Sequence, residues 1–83
     1  MDNNTILEKL HQIVQRFLKG SNKINMEDKL VDDLGFDSID IADLVVDIED
    51  AFEIHFADEE LNKLVIVNDI VNLIETKVNA KSN

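Results

Sequence analysis

The chain has 83 residues, no cysteine, and a net charge of −10 from 18 acidic and 8 basic side chains. So short a chain supports one domain with a small core, burying only roughly 60–65% of the surface its unfolded form exposes. The composition excludes a disulfide framework and a thiolate metal site, leaves any thiol chemistry to a prosthetic group, and argues against nucleic acid, whose phosphates need clustered Lys and Arg. The start, Met1-Asp2-Asn3-Asn4, lacks the cationic region and apolar run of a secretory signal. No apolar stretch approaches the ~20 residues needed to cross a bilayer, so a cytoplasmic protein without a transmembrane segment is expected.

A first helix is predicted from a capping box at Thr5-Ile6-Leu7-Glu8. Behind it Ile6, Leu10, Ile13 and Phe17 recur at helical spacing, flanked by Leu7, Val14 and Leu18, and Gly20 reads as the carboxy-terminal cap. From Ser21 to Phe36 no period is sustained. This segment reads as a long loop pinned by Ile24, Met26, Leu30, Val31 and Leu34, with a short turn around Asp28 to Asp33. Loops of that length are uncommon unless functional.

A second helix is predicted from about Ser38 to Glu53. Ile41, Leu44, Val45, Ile48 and Phe52 form its core face. Ile39, Ala42 and Val46, continuing to Glu49 and Asp50, form a second face, and Asp40, Asp43 and Asp47 an acidic third. A solvated helix has no need of Ile39 and Val46, so that stripe either meets a partner or lies under the third helix. Asp58 can cap a short third helix that turns Leu61 and Leu64 inward, and Asn68 or Asp69 a last one bearing Ile70, Val71, Leu73, Ile74 and Val78. With no proline and two glycines, the expected class is all-α, a four-helix bundle with a long first loop and a short third helix. Val65-Ile66-Val67 is too short to overturn that.

Charge is distributed unevenly. Between Lys29 and Lys63 there is no Lys or Arg, while Asp and Glu occupy 12 positions there. Such a single-sign field steers basic partners and accelerates their encounter. A calcium loop counted back from Gly35 fails, because Leu30 and Leu34 fall where oxygen ligands are required. No metal site is expected beyond weak, non-specific cation binding. Catalysis by the chain itself is also not expected. A nucleophilic serine needs a hydrogen-bonded base, and His11 and His55 lie on other segments, outside any recognisable motif.

Asp37-Ser38 opens the acidic second helix. Either residue is a natural N-cap, which alone would account for the pair. The wider run Leu34-Gly35-x-Asp37-Ser38-x-Asp40, followed by Glu49-Asp50-Ala51-Phe52 and Asp58-Glu59-Glu60, resembles the acyl carrier proteins, with Ile39 in place of the usual Leu. The resemblance extends over nearly the whole chain. It departs from the family pattern at Phe36, where smaller residues are frequent, at Ala57, where many relatives have Pro, and at Ile66, where a capping Thr is usual.

The resemblance implies that Ser38 takes 4′-phosphopantetheine from coenzyme A through a phosphopantetheinyl transferase, with Asp37 assisting that modification. The thiol of the arm then holds acyl groups as thioesters. The density of carboxylates after Ser38 points to a fatty-acid or polyketide type rather than a peptidyl or aminoacyl carrier. Further implied partners are acyl-ACP synthases, ketosynthases and other acyl-processing enzymes with basic patches, met by a monomer. Docking is expected on the second helix, with charge from Asp37, Asp40, Asp43, Asp47, Glu49 and Asp50 and apolar contact from Ile39 and Val46. Ile41, Val45, Ile48, Phe52, Leu61 and Leu64 are the candidates to line an acyl-chain cleft. The competing reading is a small acidic interaction module whose Ser38 is only a cap or is phosphorylated.

Overall fold

In the computed structural model, residues 2–18 and 23–81 are described, and they form α1 (Asn3–Gln15), α2 (Ser38–Phe52), α3 (Asp58–Leu61) and α4 (Val67–Lys81). The all-α class, the long first loop and the single-turn third helix agree with the expectations. Helix α1 is the platform on which both α2 and α4 pack. Its apolar stripe of Ile6, Leu10, Ile13 and Val14 is buried against Leu44, Val45, Ile48 and Phe52 of α2 and Val67, Ile70, Val71, Ile74 and Val78 of α4. Asn3 of α1 also donates to the Glu75 carboxylate of α4.

The helix ends differ in detail from the sequence pattern. Helix α1 is capped by Asp2, whose Oδ1 accepts the Thr5 amide at 2.8 Å, so Thr5 lies inside the helix instead of capping it. At its other end the Arg16, Phe17 and Leu18 amides turn to the carbonyls three residues back, at 3.2, 3.0 and 3.3 Å. This tightened turn ends the helix before Gly20, which lies outside the described residues. Helix α3 starts after Ala57, not with Asp58 as its cap, and the Glu60 carboxylate accepts the Ala57 amide at 2.8 Å. Lys77 of α4 meets the same Glu60 oxygen at 2.9 Å, and this pair ties α3 to α4. Helix α4 begins at Val67, ahead of the expected caps. Asp69, in its first turn, reaches back to accept the Val65 and Ile66 amides at 2.9 and 3.0 Å, so Ile66 needs no capping hydroxyl of its own.

The first loop is held by backbone bonds that no periodicity announces. Lys29 and Ile66 form an isolated antiparallel bridge, in which the Leu30 amide donates to the Val65 carbonyl at 2.9 Å. The first amides of α4 are satisfied by the same loop: Val67 N donates to Asp28 O at 3.0 Å and Asn68 N to Met26 O at 2.8 Å. Leu30 and Phe36 are buried while Ile24 and Leu34 pack on the core, but Met26 and Val31, expected to pin the loop, are exposed. The Phe36 ring meets Phe17 edge to face, centroids 6.2 Å apart. The bulky residue before Asp37 thus anchors the loop in the core immediately before α2 begins.

Candidate functional site

Two local devices position Ser38. Gly35 adopts φ +75°, a left-handed conformation that costs a residue with a Cβ roughly 1–2 kcal/mol. A Cβ there would meet nothing within 4 Å, so backbone conformation, not crowding, calls for glycine. The turn returns the Gly35 amide to Val31 O at 3.1 Å and the Phe36 amide to Leu30 O at 3.0 Å. Next comes a reciprocal cap. Asp37 Oδ1 accepts the Asp40 amide at 2.8 Å, and Asp40 Oδ2 accepts the Asp37 amide at 3.1 Å. Both partners of this capping box are carboxylates. Ser38, the first residue of α2, is exposed and has no part in it.

Neither histidine is bonded to Ser38. His11 pairs with Gln15 at 3.2 Å, and His55 Nδ1 lies 3.1 Å from Glu49 Oε2. The serine is thus an exposed hydroxyl with neither histidine paired to it.

On α2, Ile39 is 70% exposed and Val46 53% exposed, so α3 does not cover this stripe. Ala42, Asp43 and Asp50 are exposed beside it, and Asp40 and Asp47 half-buried. Glu49 is different. Its Oε2 accepts the Phe56 amide at 2.8 Å and faces His55, so it staples the turn after α2, where Glu53 adopts a left-handed φ of 55° and Phe56 is buried. Sequence reasoning placed Glu49 only on the outer face and missed Phe56, because the bond spans seven residues and follows no helical repeat. It also missed Lys9, whose ammonium lies 5.7 Å from the Phe52 ring centroid.

Of the six cleft candidates, Val45, Ile48 and Phe52 are buried in the core, while Ile41, Leu61 and Leu64 are half-buried and pack on it. They adjoin the same core. An open apolar depression of about 260 Å³ lies elsewhere, among Leu7, Leu10, His11 and Val14 of α1, Ile24 and Met26 of the loop, and Val67. Among the described residues no helix is long and apolar enough to cross a membrane.

The family described as phosphopantetheine attachment site matches residues 8–74. An acyl carrier protein of Coprothermobacter proteolyticus is 37% identical over 79 residues, which cover 89% of this chain and 96% of that one. One from Campylobacter fetus is 36% identical over 63 residues, covering 76% of this chain and 82% of its relative. The crystal structure of an acyl carrier protein from Thermotoga maritima superposes with a TM-score of 0.82 at 30% identity, over 98% of this chain and 95% of that one. A holo acyl carrier protein from Geobacter metallireducens, solved by NMR, gives a TM-score of 0.72 at 26% identity, over 95% of this chain and 87% of that one. An exposed serine at the mouth of a capped acidic helix, in a bundle of this shape, fits a covalently attached 4′-phosphopantetheine, and the chain belongs to the acyl carrier proteins, carriers rather than catalysts.

Proposed function

We propose that Ser38 is the attachment point of the 4′-phosphopantetheine arm and that residues 1–83 act as a single carrier domain, a cytoplasmic monomer serving fatty-acid or polyketide-type enzymes. The observation that carries this reading is the Asp37–Asp40 reciprocal cap, which satisfies the start of α2 and leaves the exposed Ser38 hydroxyl out of it. The bound arm supplies a terminal thiol on which the acyl group is held as a thioester. The chain's own residues present and steer. Ser38 Oγ sits at the positive end of the α2 dipole, which favours a phosphodiester anion there. Asp37 and Asp40 add like charge at the same place, so their benefit lies with the transferase or its metal ion, and Asp37 assists modification in that way.

Partner enzymes are a phosphopantetheinyl transferase, acyl-ACP synthases, ketosynthases and other enzymes with basic patches. They dock on Ile39, Asp40, Asp43, Val46, Asp47 and Asp50. Glu49 contributes by fixing the turn that ends this face. Ile41, Leu61 and Leu64, half-buried at the α2–α3 edge, remain the proposed opening of an acyl cleft backed by Val45, Ile48 and Phe52. Because α3 is a single turn, it is the element best able to yield there.

The test is incubation with an acyl-coenzyme A and a promiscuous transferase. A carrier gains the acyl-phosphopantetheine mass on the Ser38 peptide, and hydroxylamine removes the acyl part. An interaction module whose Ser38 is only a cap gains nothing.

A further inference from the structure

Helix α3 hangs between two fastened points. Before it, the Phe56 amide donates to the Glu49 carboxylate at 2.8 Å. After it, the Val65 carbonyl accepts the Leu30 amide at 2.9 Å, and the Val65 and Ile66 amides donate to Asp69 at 2.9 and 3.0 Å. The helix itself, Asp58–Leu61, buries none of its residues, and a single turn does not persist on its own hydrogen bonds. It is held to the bundle by the packing of half-buried Leu61 and Leu64 and by the ion pair from Lys77 Nζ to Glu60 Oε1 at 2.9 Å.

We propose that Lys77 is a positioning residue for acyl delivery: it keeps α3 closed, and a cation of the docked enzyme frees α3 by taking Glu60 from it. This inference rests on the reading of the α2–α3 edge as an acyl cleft served by basic partner enzymes.

The geometry at Glu60 suits such an exchange. The Ala57 amide and Lys77 both bond Oε1, and among the described residues no bond is made to Oε2. An incoming cation therefore has an acceptor to meet before Lys77 leaves. A guanidinium engages both oxygens of a carboxylate at once, whereas the Lys ammonium is a point charge, so a partner arginine outcompetes Lys77. The pair is poised for this, because the Lys77 and Glu60 side chains are 24% and 28% exposed, and partly solvated pairs contribute little. Asp58 and Glu59, exposed beside Glu60, draw the cation in. Lys77 also lines an open depression with Glu53, Ile54, His55 and Ala80, where the freed ammonium can turn toward Glu53.

The experiment loads the parent, Lys77→Met and Lys77→Arg with an acetyl or a decanoyl group on Ser38, checked by intact mass. It then measures thioester cleavage by hydroxylamine, each rate divided by that of the matching free acyl-pantetheine. Lys77→Met keeps the aliphatic stem and removes the charge. Decanoyl cleavage should rise about two- to fivefold in Lys77→Met, the scale of a partly exposed ion pair, return to the parent rate in Lys77→Arg, and leave acetyl cleavage unchanged. At low ionic strength a hexa-arginine peptide should raise decanoyl cleavage of the parent to the Lys77→Met level and add nothing to Lys77→Met. In the unloaded parent it should shift the Leu61 and Leu64 methyl resonances toward their positions in Lys77→Met. Equal decanoyl cleavage in parent and Lys77→Met, or an equal rise in Lys77→Arg, overturns the role of Lys77. A peptide that acts as strongly on Lys77→Met as on the parent overturns the exchange at Glu60. Acetyl and decanoyl forms of the parent cleaved at the same relative rate overturn the cleft reading instead.

Discussion

Asp37 and Asp40 exchange backbone-to-carboxylate hydrogen bonds, at 2.8 Å in one direction and 3.1 Å in the other, and Ser38 lies between them without taking part. The cap thus rests on residues other than the proposed attachment point. Asp37→Ala should cost about 1–2 kcal/mol of unfolding free energy, as loss of an N-cap does. Ser38→Ala should stay within about 0.5 kcal/mol of the parent, as exposed substitutions usually do. Urea melts of the two variants check this.

The charges proposed for docking and the charge that holds structure are separable on α2. Asp43→Lys and Asp50→Lys should slow transfer to Ser38, most of all at low ionic strength, with the helical signal unchanged, because steering acts on the association rate and is screened by salt. Val46→Ala should instead speed partner dissociation with little change in salt dependence. Glu49→Lys removes the acceptor of the Phe56 amide and should lower the melting temperature, whereas Glu49→Gln, which still accepts, should lower it less. Association kinetics at two salt concentrations, beside thermal melts, separate these outcomes.

The extent of α2, its core stripe and its exposed Ile39 and Val46 were legible in the sequence because a 3.6-residue period and a bordering acidic face are local signals. The caps were less so. Asp2 and Thr5 both offer an acceptor to a helix start, and local pattern does not choose between them. The Lys29–Ile66 bridge, which supplies carbonyls to the first amides of α4, joins segments far apart in the chain and rests on main-chain groups carrying no side-chain signature. The same holds for Glu49, which points to an amide seven residues on. Phe36, noted as a departure from the family pattern, is explained by its edge-to-face contact with Phe17.

Acid should weaken the α3–α4 tie. The Ala57 amide, and after it Lys77, hold the Glu60 carboxyl below its ordinary value. A group whose folded pKa is depressed contributes stability above its unfolded pKa and loses it as pH falls through the folded one. The stability difference between the parent and Glu60→Gln should therefore be constant near neutrality and shrink as pH drops below about 4.5. Thermal melts of both proteins across that range check it, and taking the difference cancels the general relief of acidic repulsion.

Clustered carboxylates oppose compaction. With −10 net charge and a total stability of order 4–12 kcal/mol for a chain this size, added salt or millimolar magnesium should raise the melting temperature. A melting temperature indifferent to both would show that the acidic face is already compensated.

The central claim, that Ser38 bears the arm, is tested most directly by intact mass after incubation with coenzyme A and a phosphopantetheinyl transferase, run on the parent chain and on Ser38→Ala side by side. The account predicts one phosphopantetheine added to the parent, mapped to the Ser38 peptide, and none to a Ser38→Ala protein that retains its helical signal. Modification persisting in Ser38→Ala, or a parent that gains no mass, would contradict it.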